Sequence, residues 1–133
     1  MKKRVYAVSL VVMVVVGCSM MGKQKGPSLV GKWSGAIPSG PDIMMIFKNN
    51  MTVDVSISGS MNVELTGKYS VDYSTDPITL DQFDFDDSQW GDIRFLAIIK
   101  FLDKNKILMC GIPDSEGDRP KNFDYQAFEM IRE

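Results

Sequence analysis

Four carboxylates lie close together in one acidic stretch of the chain. They are Asp84, Asp86, Asp87 and Asp92. Several carboxylate oxygens are what Ca²⁺ prefers, but the spacing does not fit an EF-hand loop. Gln89 stands where that loop requires glycine, and Phe95 stands where its bidentate glutamate belongs. We therefore interpret these acids as a solvated surface and expect no metal site.

The sequence lacks the residues and motifs that enzymes most often use for catalysis. The sequence contains no histidine, which removes the commonest general base near neutral pH and a frequent ligand of zinc and copper. A glycine-rich phosphate loop, a Cys-x-x-Cys pair and a Gly-x-Ser-x-Gly motif are also missing from the sequence. A Ser-Lys or paired-carboxylate enzyme is compatible with the composition, but no spacing indicates one. We expect no catalytic residues, no enzymatic activity and no cofactor.

The thiol of Cys110 is interpreted as structural. It lies in the apolar run 107–111, which has no basic residue after Lys106. A thiol buried in such a strand behaves as a small hydrophobic group with a raised pKa. We therefore expect no reactive role for it.

An export signal occupies the N-terminus. Residues 1–4 carry three cations and no acid, and residues 5–16 are almost wholly apolar. The apolar run is too short to cross a bilayer comfortably as a helix, but it has the length of a signal peptide's hydrophobic segment.

The residues before Cys18 indicate a lipid anchor. The order Val15-Val-Gly-Cys18 resembles the bacterial lipoprotein box, whose cysteine is diacylated and becomes the first residue after cleavage. Two or three acyl chains anchor a protein stably, since each buried methylene contributes about 0.8 kcal/mol. We expect a signal peptide over 1–17, a flexible tether over 18–28 and one domain over 29–133. The anchor predicts a cell-envelope location: the outer membrane if the cell has one, otherwise the outer face of the cytoplasmic membrane.

Charge and cysteine content restrict the partners of this domain. The chain has 15 Lys and Arg against 17 Asp and Glu, and loss of the three cations in residues 1–4 changes the net charge from -2 to -5. Phosphate binding needs clustered Lys and Arg, so we expect no nucleic-acid partner. With Cys18 acylated, no intramolecular disulfide is available, and the hydrophobic core must hold the fold.

Hydrophobic alternation with period two predicts an all-β domain. Val53, Val55 and Ile57, for example, alternate with polar residues, as in a half-buried strand. The expected strands are 31–37, 43–48, 51–57, 61–73, 78–85, 92–102, 106–112 and 123–132. Eight short strands joined mostly by hairpins favour an antiparallel up-and-down barrel, with a two-sheet β-sandwich as the alternative. Residues 93–102 are apolar on both faces, so the outer face is expected to meet a loop, a ligand or a partner.

A resemblance adds to this prediction. Gly31-Lys-Trp33 opens the first strand and Arg132 lies in the last, which is similar to the lipocalin pair of Trp and Arg that closes the base of the barrel. Further short motifs follow in order: Gly67-Lys-Tyr69, Pro77-Ile-Thr-Leu-Asp81, Leu108-Met-Cys110 and Arg119-Pro120. The series resembles a bacterial lipocalin-like family of exported proteins and lipoproteins, mostly of unknown function. It implies a calycin-type barrel, and the acidic, aromatic segment 83–90 departs from its pattern.

The predicted strands are rich in methionine, which suits an adaptable interior. Thioethers fill irregular gaps and tolerate varied partners, and an eight-stranded barrel has room for side chains or for one small ligand. The candidate ligand-pocket residues are Met45, Phe47, Met61, Tyr69, Phe95, Met109 and Arg119. Arg119 has two interpretations: a turn residue paired with a nearby aspartate, or a cation at the barrel mouth that meets a ligand carboxylate.

Two functions fit these features. The first is a lipid-anchored binding module that holds a small apolar or amphipathic ligand. The second is an interaction lipoprotein with a filled barrel, whose acidic segment 83–90 contacts an envelope protein. An interior pocket of about 300 Å³ or more would favour the first.

Overall fold

The computed structural model describes residues 26–38, 40–59 and 62–133, and these form a closed barrel of eight antiparallel strands. The strands are β1 (Gly31–Ala36), β2 (Asp42–Phe47), β3 (Thr52–Ser58), β4 (Val63–Asp72), β5 (Ile78–Phe83), β6 (Phe95–Asp103), β7 (Lys106–Pro113) and β8 (Phe128–Arg132). Each strand pairs with the next, and β8 returns to β1. The predicted up-and-down barrel is confirmed, and the sandwich alternative is wrong. Cys18 and Met61 lie outside the described residues.

The hairpins divide the barrel into two ends. Trp33 of β1 pairs with Arg132 of β8 at one end, here called the base. Successive hairpin loops alternate between the ends, so four connections lie at the opposite end, here called the mouth. They follow β1, β3, β5 and β7. The last two are long, spanning residues 84–94 and 114–127, and a short 3₁₀ helix (Asp114–Glu116) opens the second of them.

Beside the long mouth loops, three strands are shorter than the sequence predicts. β5 ends at Phe83 instead of residue 85, because Asp84 adopts a left-handed conformation with φ 54°. β6 begins at Phe95 instead of residue 92, and β8 begins at Phe128 instead of residue 123. Alternation alone extended these strands into loops that happen to contain aromatic residues.

Large side chains fill the half of the barrel nearer the base. Trp33 is fully buried and meets Phe101 edge-on with ring centroids 6.3 Å apart. Phe47 and Tyr69 make a second edge-to-face pair at 4.9 Å. Edge-to-face aromatic pairs add to the free energy gained from burial, so this half of the barrel is a packed core.

The outer face of β6 is covered by the loop 114–127. Ile98 points away from the interior, as its neighbours Ala97 and Ile99 point inward, yet only 2% of it is exposed. Its cross-strand neighbour Cys110 donates a weak hydrogen bond from Sγ to the carbonyl of Tyr125 in that loop, at 3.2 Å. A loop of the same chain therefore meets the second apolar face of this strand.

Among the described residues, no helix is long and apolar enough to cross a membrane.

Candidate functional site

A cavity of about 190 Å³ lies in the half of the barrel nearer the mouth. Its wall consists of inward-facing apolar side chains from the strands: Ile43, Met45, Val55, Ile57, Leu65 and Met109. None of the described residues that line it carries a charge. The volume is below the roughly 300 Å³ given above as the size that would favour a binding module, which is also the lower limit of drug-sized ligand sites. It exceeds the roughly 150 Å³ of an engineered apolar cavity that binds benzene. The cavity can hold a small, compact molecule.

Three aromatic rings bound the cavity on the mouth side. Phe85 meets Phe95 edge-on at 5.8 Å, and Trp90 stacks on Phe95 with an interplanar angle of 27° and centroids 6.1 Å apart. Phe85 is 6% exposed, whereas Trp90 and Phe95 are half-buried. This cluster, here called the aromatic cover, lies between the cavity and the solvent.

The aromatic cover depends on a local break in alternation. Because Asp84 has positive φ, Asp84 faces solvent and Phe85 turns into the barrel. Asp86 fixes the segment beyond, since its N–H donates to the carbonyl of Thr66 at 2.9 Å and its carboxylate accepts from the N–H of Thr66 at 3.0 Å. Gly67 provides the space, because a Cβ there would lie 2.7 Å from Cδ1 of Phe85.

Gln82 is the one buried polar side chain among the described residues, at 6% exposure. It projects from β5 into the cavity, and its Nε2 donates to the thioether sulfur of Met45 at 3.4 Å. A thioether is a weak acceptor. The carboxamide therefore places a strong donor and a strong acceptor among strand side chains that are otherwise apolar. The exposed Gln126 also lines the cavity, and its Nε2 donates to the Tyr125 hydroxyl at 3.1 Å.

The structure brings together only part of the predicted pocket. Met45, Phe95 and Met109 line the cavity. Phe47 and Tyr69 do not, because they pack in the filled half near the base, where the Tyr69 hydroxyl donates to the carbonyl of Lys48 at 2.7 Å. Burial raises the pKa of the Tyr69 phenol.

Arg119 lies on the outer face of the barrel and does not line the cavity. Its Nη2 is 2.7 Å from Oδ1 of Asp81, and its Nη1 donates to the carbonyls of Leu80 and Ala97. Arg94 occupies the other carboxylate oxygen of Asp81 at 3.1 Å. Arg119 thus pairs with Asp81 of β5 and not with an aspartate of its own loop. Its contacts fasten the loop 114–127 to β5 and β6.

At the base of the barrel, Arg132 stacks on Trp33 in the way that the resemblance implies. The guanidinium carbon of Arg132 lies 4.3 Å from the ring centroid of Trp33. Gly31 permits this approach, since its φ is 140° and a Cβ there would lie 2.6 Å from Nη1 of Arg132. The Trp33 indole N–H donates to the carbonyl of Leu29 at 2.8 Å. The base is closed by side chains and does not open onto the cavity.

The acidic segment does not converge on a metal site. Within the described residues, no group of three acidic, cysteine or histidine side chains is placed to hold an ion. Asp84 is 3.5 Å from the ammonium of Lys68, while Oδ1 of Asp87 accepts from the N–H of Gln89. Gln82 and Asp84 do not share a face of the barrel wall although they lie two positions apart, because Gln82 points inward and Asp84 points outward.

Comparisons of the chain with protein-family models, with curated proteins and with solved structures find no match. The lipocalin-like family therefore stays a prediction, while the barrel is an observed fold.

Sequence reasoning missed Gln82, Phe85 and Trp90 as site residues. The alternation Ile78, Leu80, Gln82 could have placed Gln82 inside the barrel, since a strand's side chains share a face at every second position. No comparable signal marked Phe85, because its direction depends on the backbone of Asp84.

Proposed function

We propose that this protein is a lipid-anchored, exported binding module that holds one small apolar or amphipathic molecule in the mouth half of the barrel. The supporting observation is the uncharged cavity of about 190 Å³ beneath the aromatic cover. A cavity lined by apolar side chains with a few placed polar groups is the usual form of a small-molecule site. Transfer of an apolar molecule into it is favourable by about 25 cal/mol per Å² of surface removed from water.

The position of the N-terminal segment suits this function. Arg132 donates to the carbonyls of Ser28 and Val30 at 2.7 Å each, so the chain enters the barrel at the base. A tether from Cys18 to Ser28 spans at most roughly 35 Å when extended. An anchor at Cys18 would thus attach the domain through its base, the end opposite the mouth. Replacement of Cys18 by serine is expected to abolish incorporation of labelled fatty acid and to block the cleavage before residue 18, which mass spectrometry of the N-terminus detects.

Filling the cavity tests the binding function. Val55 of β3 lines the cavity, and its neighbour Ser56 faces outward. We expect saturation-transfer NMR of a small-fragment mixture to detect binding to the wild type and to Ser56→Phe, but not to Val55→Phe. Equal fragment binding by the two variants, both checked for cooperative unfolding, would contradict the proposal.

A second candidate is an interaction lipoprotein that uses its acidic segment. Two observations favour it: the cavity is smaller than typical ligand sites, and Asp84, Asp87 and Asp92 are exposed at the mouth. The isosteric triple replacement of these residues by asparagine preserves Asp86 and hence the aromatic cover. This candidate predicts that the triple variant loses envelope partners that the wild type captures after cross-linking in cells, and unchanged capture would count against it.

A further inference from the structure

We infer that the cavity selects a compact, uncharged amphiphile whose single hydrogen-bonding group meets the carboxamide of Gln82. The inference rests on the proposed binding function and names the chemical class of its ligand. The side chain of Gln82 is only 6% exposed, and it lies on the wall of the cavity.

The carboxamide has unused hydrogen-bonding capacity. Within the described part of the chain, its one hydrogen bond is the long contact from Nε2 to the sulfur of Met45. An amide carries two N–H donors and an oxygen with two lone pairs, so a donor and an acceptor remain in either orientation of the group. Buried polar groups almost always have partners. A hydroxyl, carbonyl or amide on a ligand would satisfy this one.

The charges near the cavity exclude an anionic ligand. No charged side chain of the described residues lines the cavity, and the two arginines of the long mouth loops, Arg94 and Arg119, bind Asp81 on the outer face. A carboxylate in the cavity would lose its hydration without gaining a counter-ion, and so would an ammonium, which is costly for either. Of the two interpretations of Arg119, the contacts of its guanidinium therefore favour pairing with an aspartate over binding of a ligand carboxylate.

The mouth adds an electrostatic barrier against anions. The two long loops, 84–94 and 114–127, contain eight acids and three bases, a net charge of -5. A surface of one sign lowers the local concentration of ions of that sign and raises that of opposite ions. Neutral molecules are unaffected, so loop charge and cavity lining select in the same direction.

The test uses three probes of similar size that differ in polarity: toluene, benzyl alcohol and benzoate. The protein is the full chain, supplied with lipid nanodiscs to keep its apolar N-terminal segment in solution, and dialysis fixes the free probe concentration. The readout is the NMR spectrum of ¹³C-methyl methionine. Met45 and Met109 line the cavity, while the buried Met130 and the exposed Met51 lie outside it and report nonspecific effects.

Comparison with Gln82→Met isolates the amide. Met keeps the length of the side chain and removes its hydrogen-bonding groups, so toluene should still bind. The ratio of the benzyl alcohol Kd to the toluene Kd should rise roughly threefold to tenfold in the variant, the effect of one lost hydrogen bond. Benzoate should leave the Met45 and Met109 signals unmoved at concentrations at which benzyl alcohol saturates them.

The outcomes separate this inference from the proposed function. Absence of any shift at Met45 and Met109 with both toluene and benzyl alcohol would overturn the binding function itself. Binding of both probes with an unchanged Kd ratio in Gln82→Met would overturn the role of Gln82 alone. Benzoate binding as tight as that of benzyl alcohol would overturn the selection against anions. If Gln82→Met does not fold, Gln82→Leu provides the same comparison.

Discussion

The guanidinium of Arg132 covers the ring of Trp33 at 4.3 Å and simultaneously donates to the carbonyls of Ser28, Val30 and Lys104. These acceptors belong to the segment before β1 and to the turn between β6 and β7. One side chain of the last strand thus joins the segment before β1 to the turn between β6 and β7, over a fully buried indole.

Replacement of Arg132 by lysine should destabilise the barrel although it keeps the charge. An ammonium cannot reach three carbonyls at once and stacks less well on an indole, and a charged hydrogen bond contributes about 1.5–3 kcal/mol. We expect a loss of about 2 kcal/mol in the free energy of unfolding, measured by urea denaturation with circular dichroism.

Lys32→Ala is the matched control for Arg132→Lys. Lys32 lies beside Trp33 on β1 and makes an exposed ion pair with Glu133 at 3.8 Å. Such pairs contribute less than about 1 kcal/mol. Equal losses in the two variants would show that the stacked, hydrogen-bonded guanidinium contributes no more than an exposed ion pair.

The contact that closes the base was implied by the resemblance to lipocalins, which names a Trp on the first strand and an Arg on the last. Trp33 and Arg132 lie on the first and last strands, and closure of an eight-stranded ring brings those strands together. Gly31 was part of the same motif, and its positive φ and its distance to Arg132 explain why a glycine is needed. The strand pattern was likewise predictable, since hairpins and alternation are local properties.

The division of the interior into a filled half and a cavity was not predictable in the same way. Phe47 and Met45 are both buried on β2, two positions apart, yet one packs on Tyr69 and the other lines the cavity. Alternation gives the face of a strand but not the height along the barrel axis at which side chains from other strands fill the space. That depends on the register of all eight strands and on the direction of Phe85.

Replacement of Gly67 by alanine should disturb the aromatic cover. A Cβ at this position would lie 2.7 Å from Cδ1 of Phe85 and 2.8 Å from the carbonyl oxygen of Phe83. Overpacking of this kind costs about 1–3 kcal/mol, and we expect about 2 kcal/mol in thermal or urea unfolding.

The cause of this loss can be separated by a second substitution. Phe85→Leu in the Gly67→Ala background relieves the contact with the ring but not the contact with the backbone carbonyl, so it should restore only part of the stability. Gly26→Ala is the control, because a Cβ there would meet nothing within 4 Å. Wild-type stability of Gly67→Ala would contradict the placement of Phe85.

Tyr69 should give the barrel a specific sensitivity to alkaline pH. Burial raises the pKa of its phenol above the ordinary value of 10.0, so the folded state holds this proton more tightly than the unfolded state. The buried neutral phenol therefore contributes fully to stability below the pKa that Tyr69 has in the unfolded chain. This contribution is lost as the pH rises through the higher pKa of the folded state.

Tyr69→Phe therefore has a pH-dependent cost. At pH 7 it should lose about 1 kcal/mol, the value of the hydrogen bond to the Lys48 carbonyl. Above pH 10 the gap between wild type and variant should shrink, because only the wild type loses the Tyr69 contribution. Tyr125→Phe changes a side chain that is 75% exposed and is the control. A constant gap between pH 8 and pH 11 would contradict the burial of a neutral Tyr69.

Arg119 should protect the thiol of Cys110 from modification. Cys110 is buried beneath the loop 114–127, and burial raises the pKa of its thiol, which lowers the fraction of reactive thiolate. The loop is fastened by the contacts of Arg119 to Asp81 and to the carbonyls of Leu80 and Ala97. Because Cys110 is only 5% exposed, local opening of the loop should speed its reaction with a thiol reagent.

Arg119→Gln removes the ion pair and should release the loop without altering the barrel interior. Breaking one charged contact of about 1.5–3 kcal/mol raises the open population roughly tenfold to a hundredfold, and the labelling rate of Cys110 at pH 8 should rise in proportion. Lys121→Gln changes an exposed residue of the same loop and should leave the rate unchanged. Circular dichroism and urea unfolding distinguish local opening from global loss of stability. If Arg119→Gln labels no faster than Lys121→Gln, the loop is held by its apolar contacts with Ile98 and Cys110, and Arg119 is an ordinary surface cation.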